Sequence, residues 1–194
     1  MPLSKDQIKR LQVNVPIWID TLKNNGFDAR QIAFAIPQMI VESKYFSSNS
    51  YLQDTNATGI KYRPNTPSAD TTAGRKSSEW TIKRPDFYAR YKTRDAFAKD
   101  YKRVLSLQRK DNKLGRPIDA KDLVDFNNRL YANSYYQKDK EHFDNYIKGL
   151  LSANKYLLQV FPKYTEMLEK KNYLIYFLAG GIGLLLLLKR FRKN

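Results

Sequence analysis

The sequence predicts an α+β fold that is mainly α, with a small β-hairpin or loop lobe and one C-terminal transmembrane helix. Apolar residues recur at helical spacing on both sides of a central segment. That segment, residues 43–91, is rich in Ser, Thr, Asn, Asp, Gly and Pro and has little hydrophobic periodicity. A polar stretch of this length within a domain usually carries function. Residues 173–188 contain no charged residue, which predicts the membrane helix.

Residues that can cap a helix precede the periodic segments, and two of them have a glutamine three residues later, as in a capping box. The predicted cap residues are Ser4, Asp28, Thr93 and Asp119. A further helix is predicted from Asp139 onward, and short β segments are predicted at residues 59–62 and 80–83. Together these elements predict one domain over residues 1–160.

The helix that begins after Asp28 is apolar on nearly every face. Its residues 32–41 read Ile-Ala-Phe-Ala-Ile-Pro-Gln-Met-Ile-Val, so we expect it to be buried on all sides. Glu42 follows at the C-terminal end, where the helix dipole disfavours a carboxylate, and both features raise a carboxyl pKa. A carboxylic acid that stays protonated near neutral pH is what general-acid cleavage of a glycosidic bond requires. Alternatively, Glu42 only marks where the helix reaches solvent.

The composition excludes several kinds of chemistry. The chain has no cysteine and one histidine, His142, so we predict no metal, no cofactor and no Ser-His nucleophile. The net charge of +16 predicts a polyanionic partner, such as nucleic acid, anionic lipid or the acidic polymers of a bacterial envelope. The basic residues are spread through the chain, so no specific binding of nucleic acid is predicted.

Two motifs resemble those of a known family. Ile40-Val41-Glu42-Ser43 is followed by Asn56-Ala57-Thr58-Gly59-Ile60-Lys61. The order and spacing resemble the bacterial and phage endo-β-N-acetylglucosaminidases of the flagellar-muramidase type, in which a buried helix ends in Glu-Ser and Asn-x-x-Gly-Ile-Lys follows. Weaker resemblance extends through residues 87–91 and 135–146, so that it covers about residues 32–151. It implies a lysozyme-like domain that cleaves the β-1,4 glycan backbone of peptidoglycan.

The chain departs from the family pattern at three places. Lys44-Tyr45-Phe46 stands where the family has a small or aromatic residue and then glycine, and Thr58 replaces an aromatic residue. The last segment lacks the family's proline and has one inserted residue. These departures concern how a glycan fits the site, whereas the glutamate itself is retained.

The resemblance also implies roles for individual residues. Glu42 would protonate the departing glycosidic oxygen, and Glu79 would stabilise the oxocarbenium-like transition state or activate water, with Asp86 as the next candidate. Tyr136 resembles the family's active-site tyrosine, and Tyr135 is its rival. The predicted substrate-binding residues are Asn56, Tyr62, Trp80, Tyr135 and Asp139. Alternatively, Asn56 shapes the loop, Glu79 is a solvated loop acid and the aromatic residues belong to the core.

The C-terminal part is predicted to consist of a stalk at 161–172, a transmembrane helix at 173–188 and a basic tail at 189–194. A helix over 173–188 is roughly 24 Å long, slightly short of a ~30 Å hydrocarbon layer, and flanking basic residues can snorkel. The alternative is a buried core helix. The denser positive charge at the C-terminus predicts that the N-terminal domain lies outside. The predicted location is a bacterial envelope or the membrane of a phage particle, with membrane lipid and virion proteins as partners.

The sequence leaves three functions open. The first is a membrane-anchored peptidoglycan hydrolase of the endo-β-N-acetylglucosaminidase type. The second is a lytic transglycosylase, which uses a similar lone glutamate but ends in an anhydro sugar. The third is a catalytically inactive glycan-binding or structural membrane protein of a phage particle.

Overall fold

The structure is a computed structural model that describes residues 2–64, 70–77, 81–82, 85–135 and 140–169. Within these residues the chain is mostly helical and has one small two-stranded sheet. The helices are α1 (Lys5–Asn24), α2 (Ala29–Glu42), α3 (Asn49–Asp54), α4 (Arg94–Leu105), α5 (Leu123–Ala132), α6 (Lys140–Val160) and α7 (Tyr164–Glu169). The strands are β1 (Thr71–Lys76) and β2 (Phe87–Tyr91), and a 3-10 turn covers Pro117–Asp119.

The predicted fold class, α+β with a C-terminal transmembrane helix, is wrong. Among the described residues, no helix is both long enough and apolar enough to span a membrane. The longest, α6, has 21 residues but carries charged side chains along its length. The predicted stalk beyond residue 169, the span 173–188 and the tail 189–194 lie outside the described residues. The predicted single-pass anchor and membrane location are corrected accordingly, because the structure gives them no support.

The predicted helix starts are confirmed at three of four positions. Ser4 and Asp28 each form a complete capping box, and the Thr93 hydroxyl accepts a hydrogen bond from the first turn of α4. The prediction at Asp119 is wrong, because that carboxylate pairs with an arginine three residues earlier and belongs to the 3-10 turn. Asp122 caps α5 instead.

The sheet lies elsewhere than predicted. β1 and β2 pair antiparallel, with Thr71 opposite Tyr91. Segment 59–62 contributes one isolated bridge, from Lys61, and the described part of 80–83 is not in a strand. Backbone hydrogen bonds join this segment to β2, from the Tyr62 N–H to the Phe87 carbonyl and from the Ala89 N–H to the Ile60 carbonyl, and the buried Asn56 side chain adds further bonds.

Aromatic rings of α1 and α4 form the centre of the core. Trp18 is fully buried and meets Phe97 edge-on at 5.2 Å, and Phe97 stacks on Tyr101 at 5.5 Å. Full burial of one such ring stabilises the fold by roughly 2–3 kcal/mol. α2 packs against α1, α6 and α7, which confirms that its apolar surface is covered on several sides.

Candidate active site

Glu42 is the last residue of α2 and lines a cavity of about 430 Å³. Its side chain is partly exposed to this cavity, whereas Met39 and Ile40 before it are fully buried. Burial raises the pKa of Glu42 from 4.5 to about 7, although a hydrogen bond from Tyr146 lowers it in part. The carboxyl group therefore exchanges its proton near neutral pH, as the apolar helix predicts.

The cavity lies between the end of α2, the start of α3, and β1 and β2. Its described lining consists of Glu42, Lys44, Ser48, Asn49, Ser50, Asn56, Gly59, Arg75, Lys76 and Tyr88. Three of these side chains are cations, and Glu42 is the one carboxylate among the described lining residues. This excess of positive charge favours a ligand that carries negative groups.

A tyrosine from α6 donates a hydrogen bond to Glu42. The Tyr146 hydroxyl lies 2.6 Å from Oε1 of Glu42, and its oxygen accepts from Nε2 of Gln38 at 3.0 Å. Oε1 of Gln38 in turn accepts from the Tyr101 hydroxyl at 2.5 Å. Burial raises the pKa of Tyr146 well above its usual range, so the phenol stays protonated and remains a donor. The contact exists because α6 packs along α2.

Three successive residues after Ser43 turn the chain sharply away from α2. Lys44, Tyr45 and Phe46 have φ values of 51°, 59° and 58°, a conformation that glycine adopts freely and that costs other residues about 1–2 kcal/mol each. The Ser43 hydroxyl accepts from the Phe46 N–H at 2.8 Å, and Arg10 donates to the Tyr45 carbonyl at 3.1 Å. Phe46 is buried. These contacts hold the turn at the position where the resembling family has glycine.

Asn56 fixes the loop that faces Glu42 across the cavity. Its buried Nδ2 donates to the carbonyls of Ile60 at 2.7 Å and Ala89 at 2.9 Å, and its Oδ1 accepts from the Ile60 N–H at 3.0 Å. Gly59 within this loop has φ 66°, and a Cβ there would lie 3.8 Å from Oε2 of Glu42. The amide therefore joins the loop to β2 and sets the cavity wall.

The other predicted site residues are placed as follows. The Tyr135 hydroxyl donates to the Thr58 carbonyl at 2.7 Å, and burial and the charge of Glu42 raise the pKa of Tyr135 above its usual range. Tyr62 is partly buried, and its N–H donates to the Phe87 carbonyl at 2.8 Å. Four predicted site residues lie outside the described residues: Glu79, Trp80, Tyr136 and Asp139.

Asp86, the second acidic candidate, is not among the described residues that line the cavity. Burial by itself would raise the pKa of Asp86, but hydrogen bonds from Lys61, Ser77 and Arg63 lower it to about 2. The carboxylate therefore stays ionised over the whole range in which Glu42 titrates. Its ion pairs with Lys61 at 2.8 Å and Arg63 at 3.2 Å join segment 61–63 to the start of β2, and it accepts a hydrogen bond from Ser77 at the end of β1.

The structure adds three residues that the sequence analysis missed as site residues: Gln38, Tyr101 and Tyr146. Gln38 had a usable signal, since it is the one strongly polar residue between positions 32 and 41 and lies one helical turn before Glu42 on the same face. Tyr146 lies in the segment 135–146 that resembles the family's last motif, but the resemblance pointed to Tyr136 and Tyr135 there. Tyr101 had no signal in a sequence with 14 tyrosines.

The described site is thus a cleft with one titratable acid, a tyrosine donor and a cationic rim.

No family model matches the sequence, and no curated protein matches it. The chain is similar in structure to the catalytic domain of the autolysin Auto from Listeria monocytogenes, with a TM-score of 0.48 and 19% sequence identity. The match covers 82% of this chain and 90% of that domain. A likeness at this score assigns no activity. Nothing in it or in the described residues supports the predicted lipid, phage or virion partners.

Replacing Glu42 by glutamine is expected to stabilise the protein at pH 8 more than at pH 5. The folded pKa lies above the unfolded value of 4.5, so the stability from the protonated acid is complete below 4.5 and is lost as pH rises through 7. The neutral amide avoids that loss, which is on the order of 2 kcal/mol after allowance for solvent in the cavity. Urea denaturation at both pH values measures it, and an equal difference at pH 5 and pH 8 contradicts it.

Proposed function

We propose that this protein cleaves β-1,4 glycosidic bonds in the glycan backbone of peptidoglycan, with Glu42 as the general acid. One observation carries the proposal: a carboxyl group at the end of a buried helix, with its pKa raised to about 7, opens onto a cavity. An acid with this pKa holds a proton at neutral pH and can still release it, which suits proton donation to a leaving oxygen.

The hydrogen bond from Tyr146 favours the state that follows proton transfer, in which Glu42 is ionised. When Glu42 gives its proton to the glycosidic oxygen, the bond between that oxygen and the anomeric carbon breaks, and a carboxylate remains in a partly buried site. The Tyr146 hydroxyl, 2.6 Å from Oε1, stabilises that carboxylate. Burial thus favours the protonated form of Glu42 before the proton is transferred. The hydrogen bond from Tyr146 lowers the free energy of the carboxylate that remains afterwards.

Peptidoglycan is proposed as the substrate on two grounds. The Glu-Ser and Asn-x-x-Gly-Ile-Lys motifs resemble those of the glucosaminidases, and in the structure Glu42 and Gly59 from these two motifs line one cavity. Lys44, Arg75 and Lys76 line it too, and they complement the carboxylates that peptidoglycan carries on its peptides. We propose that Asn56 supports this wall through the backbone and that Tyr62 and Tyr135 shape it. Direct roles remain proposed for Glu79, Trp80, Tyr136 and Asp139.

Lytic transglycosylation is the second candidate, because Glu42 is the one carboxylate among the described residues of the cavity lining. In that reaction the same acid protonates the leaving oxygen, and a hydroxyl group of the sugar attacks the anomeric carbon in place of water. The two reactions need the same proton donor and differ in the product.

Digestion of purified peptidoglycan by the full chain, followed by mass spectrometry of the soluble products, tests the proposal. Products with a reducing-end N-acetylglucosamine are expected. Anhydro-muramyl products would assign the protein to the transglycosylases, and a reducing-end N-acetylmuramic acid would assign it to the muramidases. Retained binding of peptidoglycan with no soluble product would contradict an enzyme and leave a glycan-binding protein.

A further inference from the structure

Three hydrogen bonds in series, one buried and two partly buried, all have their donors on the side away from Glu42 and their acceptors on the side toward it. The Tyr101 hydroxyl donates to Gln38, Gln38 donates to Tyr146, and Tyr146 donates to Glu42, over distances of 2.5, 3.0 and 2.6 Å. We propose that Gln38 and Tyr101 are positioning residues that fix the direction of the Tyr146 O–H and thereby keep the acidic proton of Glu42 on the oxygen facing the cavity. The catalytic meaning of this inference rests on the function proposed above.

The direction of the series follows from the chemistry of an amide. A glutamine side chain has its acceptor on one atom and its donors on the other. Because Oε1 of Gln38 accepts from Tyr101, its Nε2 is turned toward the oxygen of Tyr146. A phenol has a single proton, and with its oxygen already accepting from Gln38, Tyr146 directs that proton to Oε1 of Glu42.

The hydrogen bond from Tyr146 determines which oxygen of Glu42 carries the acidic proton. A neutral carboxylic acid carries one proton, and Oε1 is already an acceptor. The acidic proton is therefore placed on Oε2, which lies 3.8 Å from the position of a Cβ at Gly59 and so faces the cavity wall. A substrate oxygen in the cavity would meet a proton that is already directed toward it.

A glutamine is unusual at a fully buried position of an apolar helix, and this supports a positioning role for Gln38. It is 0% exposed in the middle of an apolar helix, where an amide without partners costs about 1–3 kcal/mol. Tyr101 is likewise 0% exposed, yet its ring is already packed between other aromatic rings. Packing explains the ring of Tyr101, whereas the hydroxyl is explained by the bond to Gln38.

Several described groups surround Glu42 and would influence its titration. Three of them are tyrosines from the helical part of the chain: Tyr101 of α4, Tyr146 of α6 and Tyr135 after α5. The others line the cavity: Lys44, Arg75, Lys76 and Tyr88. Within the hydrogen-bonded series of described residues, Tyr101 and Gln38 are connected to Glu42 through Tyr146, so a change at either is transmitted by Tyr146.

Titration of Glu42 in Tyr101→Phe tests the proposal. Without the phenol, the Gln38 amide can turn its oxygen toward Tyr146, which then shares its proton between Gln38 and Glu42. Ionised Glu42 loses part of a hydrogen bond, so its pKa is expected to rise by about half a unit or more. The pKa is read from the δ-carbon signals of ¹³C-labelled glutamate in the full chain, and the Glu42 signal is assigned by its absence in Glu42→Gln.

Tyr164→Phe is the matched control. Tyr164 is buried like Tyr101, but among the described residues its hydroxyl has no hydrogen-bond partner. The same loss of one oxygen should leave the pKa of Glu42 unchanged. Gln38→Met provides a second variant, since it keeps the length of the side chain and cannot donate to Tyr146, and it should raise the pKa in the same direction.

The outcomes are separable. A raised pKa of Glu42 in both Tyr101→Phe and Gln38→Met, with no shift in Tyr164→Phe, supports the positioning role. If one of the two variants fails to fold, the other decides. An unchanged pKa in a folded variant overturns it, even when that variant melts at a lower temperature, because packing alone would produce that loss. The titration uses no substrate, so failure of peptidoglycan digestion with a shifted pKa would reject the proposed function alone.

Discussion

Glu42→Gln is expected to lower the rate of peptidoglycan cleavage by roughly 10²–10⁴-fold, the usual contribution of a positioned general acid. Glutamine has nearly the same shape, and its oxygen can still accept from Tyr146, but it has no acidic proton to give to a leaving oxygen. The measurement is the release of soluble glycan fragments per unit time at pH 6 by equal amounts of the two proteins.

Glu141→Gln is the control for this change. Glu141 is exposed in the first turn of α6 and does not line the cavity, so the same loss of one negative charge should leave the rate unchanged. If Glu42→Gln cleaves peptidoglycan at the rate of the unchanged protein, another group supplies the proton and the proposed role of Glu42 is wrong.

Asn56→Asp is expected to lower the free energy of unfolding by about 3 kcal/mol at pH 7. The side chains have the same size, but the aspartate presents oxygen to the carbonyls of Ile60 and Ala89, which the amide of Asn56 now joins. A buried acceptor that loses its donor costs about 1–3 kcal/mol, and a buried charge adds to this. Urea denaturation compared with the unchanged protein measures the difference.

An exposed asparagine controls for the charge. Asn145 lies on the solvent side of α6, and Asn145→Asp should change the free energy of unfolding by less than about 0.5 kcal/mol. Asn56→Asp should also slow peptidoglycan cleavage, because Gly59 beside Glu42 belongs to the loop that Asn56 holds. Equal stability of the two variants would show that the buried amide bonds do not hold this loop.

The local features of the chain were predictable from the residues. The capping boxes at Ser4 and Asp28, the cap at Thr93 and the burial of α2 depend on spacings of three or four residues, and all are present. The raised pKa of Glu42 was predicted from the same short stretch, since the carboxyl group ends an apolar helix whose burial the structure confirms.

Short and isolated apolar segments were the least predictable. The strands were expected at 59–62 and 80–83, yet the sheet is formed by 71–76 and 87–91. A strand of five or six residues depends on its partner more than on its own pattern. The predicted C-terminal membrane helix is not supported either, because no helix in the described part of the chain has the length and apolarity of a membrane span.

The sequence by itself determined the acid: a glutamate at the end of an apolar helix, with the loop motif of Asn56 and Gly59 downstream. Only the tertiary structure decided the partners of that acid. Tyr146 comes from a helix more than a hundred residues later, and it reaches Glu42 because α6 packs along α2. Its hydroxyl is directed at Glu42 through Gln38 of α2 and Tyr101 of α4. Burial and helix ends follow from local sequence, whereas the direction of a proton depends on which distant side chains the packing brings into hydrogen-bond distance.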